Sequence, residues 1–348
     1  MADGEDALET HLADGIDAWS VAAALAAVVA LAGFVWLVGL TPVLGALARL
    51  SPAQVALLAA AGFLPVFVWG VSLRVLFGSL GIDCWTPTAL LLFLASVFLN
   101  SVTPFGQAGG DPPSGLLVAR TTGATFEESL AAIAGVNALN RVAVVVLGVA
   151  GAGALAAGTP VDGSLSRTVA AVLALAALVV LAAVLAWVYR QRVVAVGGRL
   201  LAGAVVRLAG LVGLPTPIRE AIRARLDRFV AAIERLGARP GRLGAVFLLG
   251  LVGHLTVAGT LFLAASALDA PVSLAVALVV IPVAKLSGLA PVSGGTGGAE
   301  LLLSGLLVAA AGLTAPAATA VALAYRAAAF WLPTVAGGAV TVVLLLAD

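Results

Sequence analysis

The sequence predicts an all-α fold, a polytopic transmembrane helical bundle with two internal repeats, and three observations carry that expectation. Of the 348 residues, 62% are hydrophobic and only 10% are charged, whereas a soluble domain carries about a quarter charged residues. Apolar stretches long enough to cross a hydrocarbon core of about 30 Å recur along the chain. Two polar, glycine-rich motifs interrupt them, "NSVTPFGQAGGDP" at 100–112 and "PVSGGTGGAE" at 291–300.

In chain order, residues 1–17 form an acidic tail: Asp3, Glu5, Asp6, Glu9, Asp14 and Asp17 occur with no Lys or Arg, the opposite of the basic start of a signal peptide. The first transmembrane half, 18–189, holds spans expected at 18–40, 52–77, 86–102, 127–150 and 166–189. The second, 243–348, holds spans expected at 243–265, 271–289 and 315–346. Eight spans result. Two shorter pieces, 103–121 and 290–312, open on Pro and Gly and read as re-entrant or broken helices, because irregular backbone at membrane depth needs protein or a wet cavity around it. Pro333 is expected to kink the last span after Trp331.

The connecting segment 190–242 is rich in arginine, from Arg190 to Arg242, and the positive-inside rule makes it cytoplasmic. Within it, Ile218, Ile222, Leu226, Phe229, Ile233 and Leu236 recur at helical intervals between Arg and Glu. That pattern describes an amphipathic helix on the inner membrane surface, whose arginines also suit anionic headgroups. Counting spans outward from this loop puts Arg49 and Arg120 inside and both chain ends outside. It makes the two repeats parallel, although one fully crossing motif would invert them.

The repeats, roughly 50–160 and 243–348, rest on a recurring order of residues. Pro104 precedes Gly109, Gly110 and Asp111; Pro291 precedes Gly297, Gly298 and Glu300. Arg141 then follows Gly110 by 31 positions and Arg326 follows Gly298 by 28. Broken segments of internal repeats that meet near the midplane are a common construction of transporters. The two motifs are therefore expected to lie together.

Polar groups gather around each motif. Ser96, Asn100 and Thr103 share one helical side, followed by Gln107; Asn137, Asn140 and Arg141 do the same on the next span. Lys285 precedes the second motif, Ser293 lies within it, and Tyr325 and Arg326 occupy the last span. Charges at membrane depth are costly, so they should pair or face a cavity: Arg141 with Asp111, and Arg326 or Lys285 with Glu300. Such pairs either lock helices together or bind an anionic group, for which bare glycine amides add donors. The double glycines could also serve close helix packing, the lesser reading beside a ligand-facing role. His254, alone in an apolar span, reads as a hydrogen-bonded packing residue. Glu127 and Glu128 complement a helix N-terminus.

Several classes are excluded. "GGTGGAE" lacks the Lys-Ser/Thr ending of a phosphate loop, which argues against an NTPase. The single Cys84 rules out an internal disulfide and any CxxC metal site. The net charge of +1 gives no sign of nucleic-acid binding. No nucleophile-and-base set, metal cluster or cofactor motif is apparent, so a non-enzymatic role is expected.

"PFGQAGGDP", the later "GGTGGAE" and "YRAAAFWLP" at 325–333 resemble the signature segments of the lysylphosphatidylglycerol synthase transmembrane-domain family, whose members are flippase-like. The resemblance covers about 20–346. It implies a lipid translocase whose motifs line a headgroup path. No polar, domain-sized region corresponds to the aminoacyl-transferase domain of the full-length synthases, so lipid lysylation is not implied. The expected activity is movement of an anionic phospholipid or lipid-linked phosphate, with membrane lipids as partners, in the plasma membrane of a prokaryote. The alternative is an ion- or proton-coupled transporter of a small anion, with Asp111 and Glu300 as proton carriers. The sequence leaves a homo-oligomer open.

Overall fold

A computed structural model describes residues 40–103, 106–158, 216–285 and 297–346. The tail 1–17, the span 166–189, nearly all of the span 18–40, and Ser293 lie outside the described residues. Among those described, every regular element is helical.

The first half contains α1 (Leu40–Leu47), α2 (Pro52–Leu80), α3 (Thr86–Val102), α4 (Gln107–Thr122) and α5 (Phe126–Gly158). After α6 (Thr216–Gly237), the second half contains α7 (Pro240–Ala267), α8 (Leu274–Ala284), α9 (Gly298–Ala311), α10 (Ala315–Arg326) and α11 (Leu332–Leu346). A π-helical turn, Ala327–Trp331, joins the last two. Among the described residues, four helices are long and apolar enough to cross a membrane: Pro52–Leu80, Phe126–Ala157, Pro240–Ala267 and the continuous Ala315–Leu346. The expected span 86–102 is a helix with those same bounds, although at 17 residues it is shorter than the four long helices, and the described part of 271–289 contributes the 11 residues of α8.

Local chemistry sets these boundaries. Ser51 caps α2 in a reciprocal box with Gln54, Pro52 opens the helix, and Gly81 ends it at φ 80°, a left-handed conformation that glycine adopts without strain. Pro65 sits inside α2 and lacks the amide that would bond the Ala61 carbonyl. The Thr260 hydroxyl of α7 donates to that carbonyl instead, at 3.2 Å. Just before Pro333, where a kink was expected, stands the π-turn, the wider turn absorbing a missing amide donor.

Packing fixes directions. Along α2 and α7, Gln54 reaches the Ala267 carbonyl, Ala61 meets Thr260, Trp69 covers Gly253, and Ser79 accepts from Arg242. The two helices are therefore antiparallel. Arg49 precedes the end of α2 remote from Arg242, which corrects the expectation that Arg49 shares the inner face. Arg120 does keep to the basic face: it ends α4, and Glu127 and Glu128 at the start of α5 bond Arg228 and Arg235 of α6 at 2.8 and 2.6 Å. Along α3 and α11, Ser101 bonds Thr334 and Gly337 lies against the Leu94 backbone, so they too are antiparallel. The end of α11 consequently returns to the basic face, not the outer one.

The core has two main parts. Leu73, Phe77, Leu92, Val118 and Val136 are buried with Ala232 and Leu236 of α6. Leu261, Val280, Leu303, Leu307 and Val321 form the second cluster. Leu57, Phe67, Leu248, Val335 and Val343 are exposed on the long helices. An apolar rim around an apolar core is what lipid contact requires.

Candidate functional site

The first motif forms a polar relay at the break between α3 and α4. Gly106, at φ 57°, turns the chain, and Gly110 packs so closely on Asn100 that a Cβ would collide with its backbone. Asn137 of α5 donates to both carboxylate oxygens of Asp111, at 2.9 and 3.1 Å. Gln107 donates to the Asn137 side-chain oxygen at 3.3 Å and accepts from Arg141 at 2.9 Å. Arg141 thus reaches Asp111 through two amide side chains, not through the direct ion pair that was expected. Its side chain is exposed, which also corrects its expected interior placement.

Other first-motif residues are spent locally. Thr103 and Ser96 donate to carbonyls of their own helix, at 2.7 and 2.9 Å. Asn100 keeps a buried side-chain oxygen with no partner among the described residues. Gly109 bonds back to the Gly106 carbonyl in the first turn of α4. Pro112 and Pro113 lie inside α4 and remove two amide donors from that turn.

The second motif is more enclosed. Gly297, at φ 79°, precedes α9, whose first turn carries Gly298 and Glu300. Arg326 Nε donates to Glu300 Oε1 at 2.8 Å, the side chains being 11% and 1% exposed. The guanidinium also lies over the Phe330 ring, 3.7 Å from its centroid. Glu300 Oε2 and the Ser304 hydroxyl are buried with no partner among the described residues. A groove of about 220 Å³ runs past Ser304, lined by Leu301, Gly305, Val308, Ala315 and Thr319.

Lys285 does not join Glu300. Its Nζ lies 3.4 Å from His254 Nδ1 and 5.5 Å from the centroid of Trp69. His254 is buried and bonded to the Asn140 carbonyl at 2.9 Å, which fits the hydrogen-bonded packing role read from the sequence. Tyr325, next to Arg326 in the chain, packs against apolar residues of the second core cluster. The described parts of the motif helices, α4 and α9, are not packed on one another as expected. The final helix connects them, its first part packed on α9 and its second touching α4.

Trp69, Ser304 and the Lys285–His254 contact were not singled out from the sequence. Ser304, four residues after Glu300, had a helical-spacing signal. Trp69 had none, because its role depends on α2 crossing α7 opposite Gly253.

Intramembrane ionic groups clustered at helix breaks within an apolar bundle define a multi-pass integral membrane protein. The family described as the lysylphosphatidylglycerol synthase TM region matches residues 21–337, and the chain belongs to that family. No curated protein matches it.

Proposed function

We propose that the chain is a lipid translocase of the flippase or scramblase type, acting as a transporter and not as an enzyme. It would hold an anionic phospholipid or lipid-linked phosphate headgroup by its intramembrane cations, in a prokaryotic plasma membrane. The observation that carries this reading is the Arg326–Glu300 pair, 2.8 Å apart and nearly enclosed, beside a helix break. A buried pair contributes little net stability over apolar packing, and exchange of one anion for another at Arg326 keeps the local charge nearly constant.

The two halves fit an inverted repeat. Each runs as a long helix, two short helices and a long helix, with lengths of 29, 17, 16 and 33 residues, then 28, 11, 14 and 32. Contacts recur with the halves exchanged: Gly337 of α11 against Leu94 of α3, and Gly151 of α5 against Leu278 of α8. The leading helices α2 and α7 are antiparallel, which favours a two-fold axis in the membrane plane. On this reading α3–α4 and α8–α9 are re-entrant hairpins entering from opposite faces.

The test is movement of fluorescent phosphatidylglycerol in proteoliposomes. Arg326→Ala should abolish it, and Arg326→Lys should retain part, because an ammonium lacks the planar fork of a guanidinium. Glu300→Gln should tighten headgroup binding and slow turnover. Wild-type rates in both Arg326→Ala and Glu300→Gln would defeat the exchange mechanism. Uptake of free phosphate without lipid movement would favour the small-anion transporter instead.

A further inference from the structure

Between the two motif clusters lies a pair of basic side chains that headgroup exchange at Arg326 leaves unused. His254 is 4% exposed near the middle of α7. Its Nε2 faces the Asn140 carbonyl oxygen at 2.9 Å, and a carbonyl can only accept, so Nε2 carries the ring hydrogen and Nδ1 presents a lone pair. Lys285 Nζ, 3.4 Å away, donates into that lone pair. The same ammonium faces Trp69, whose ring meets the imidazole edge-on with centroids 5.2 Å apart. Among the described residues, then, Lys285 contacts a neutral base and an aromatic face but no carboxylate.

The other facing groups leave the pair isolated. From α2 the neighbour is Trp69, which does not titrate. From α5 it is the Asn140 backbone, with Arg141 next along the helix and tied to Gln107. The α10 helix brings Tyr325 and Arg326, the latter held by Glu300. Asp111, on α4, is taken up by Asn137. Two protons on the pair would place like charges 3.4 Å apart, one of them on an imidazole that is 4% exposed, which is disfavoured.

We propose that His254 and Lys285 hold one exchangeable proton between them, and that its loss and gain couple headgroup translocation to a proton gradient. The proposal rests on the translocation reading. With the proton bound, the pair carries a single positive charge and attracts an anionic headgroup. When Nζ gives its proton to water, both groups are neutral and the headgroup is released. Proton and lipid therefore travel together, and no other reactant is consumed. The pair titrates as a unit.

The test uses the full-length chain in phosphatidylcholine vesicles containing fluorescent phosphatidylglycerol, with a pH dye trapped inside. One proton per lipid should change the steady-state leaflet ratio about tenfold for each unit of imposed pH difference, and lipid movement should be accompanied by proton flux. Lys285→Met keeps the side-chain length but carries no exchangeable proton, so its leaflet ratio should ignore the gradient. In a second arm, nitrogen NMR of histidine-labelled protein carrying His11→Gln should report the Nε2–H tautomer. The His254 titration should move when Lys285→Met is added. An Nδ1–H tautomer, a titration indifferent to Lys285→Met, or a gradient response retained in Lys285→Met overturns the proposal. Wild-type protein that moves lipid without regard to pH sinks the coupling alone; protein that moves no lipid under any gradient sinks the translocation reading with it.

Discussion

Replacing Arg326 by alanine should destabilise the protein severely, because it strands a carboxylate that is 1% exposed. Glu300 Oε2 already lacks a partner among the described residues, so after the substitution the donor to Oε1 is lost as well. Removing one member of a buried pair costs about 3–5 kcal/mol. Loss of the guanidinium over Phe330 adds roughly 0.5–2 kcal/mol. At about 2–4 °C per kcal/mol, the apparent melting point should fall by about 7–28 °C. Fluorescence-detected size exclusion after a fixed heating time measures it, compared across variants under one protocol because unfolding in detergent is irreversible. Glu300→Met combined with Arg326→Met should recover most of that loss, since apolar replacement of both partners is often neutral or better. The double variant should still move no lipid. A single Arg326→Ala variant within about 2 °C of wild type, less than the effect of 1 kcal/mol, would refute the claim that this pair is buried and coupled.

Three further outcomes follow from packing and topology. In a Cys84→Ser background, thiols placed by Arg49→Cys and Arg242→Cys should react with membrane-impermeant reagents from opposite faces, and Arg120→Cys from the face of Arg242; labelling of Arg49→Cys and Arg242→Cys from one side contradicts the antiparallel α2–α7 pair. Gly62→Ala should cost about 1–3 kcal/mol by overpacking, since its Cβ would meet the Ala328 carbonyl, whereas Gly259→Ala meets nothing within 4 Å and should be neutral or mildly stabilising in a thermal shift assay. Arg228→Ala with Arg235→Ala should loosen α6 from α5, read as faster hydrogen exchange over 220–237; their side chains are 55% and 49% exposed, so the melting point should change little and high salt should mimic the effect.

Much of this organisation was legible in one dimension. Paired Pro, Gly-Gly, carboxylate and distant Arg revealed both breaks and picked out Glu300 and Arg326, because helical charge burial in a membrane demands a partner within reach. The same logic failed for Lys285, whose partner is an imidazole on α7 and not the nearby Glu300. Sequence proximity to the second motif suggested one pairing; the crossing of α7 and α8 supplied another. Arg141 shows a related limit, since two amide side chains stand between it and Asp111. The side assigned to Arg49 failed because counting spans treats each as a full crossing. The direction of α2 is fixed instead by particular contacts, Gln54 with Ala267 and Ser79 with Arg242.

The shortness of α8 has an electrical consequence. Its 11 residues rise about 16 Å, roughly half of a 30 Å hydrocarbon core. Where water follows such a half-length helix inward, the insulating layer thins to the remaining half and the membrane voltage drops across that distance alone. The field there is about twice that in undisturbed bilayer, and an elementary charge crossing the gap still experiences the whole potential, about 2.3 kcal/mol per 100 mV. A charged group stationed at Lys285 would occupy the steepest part of that drop, and its occupancy would follow membrane voltage as well as concentration.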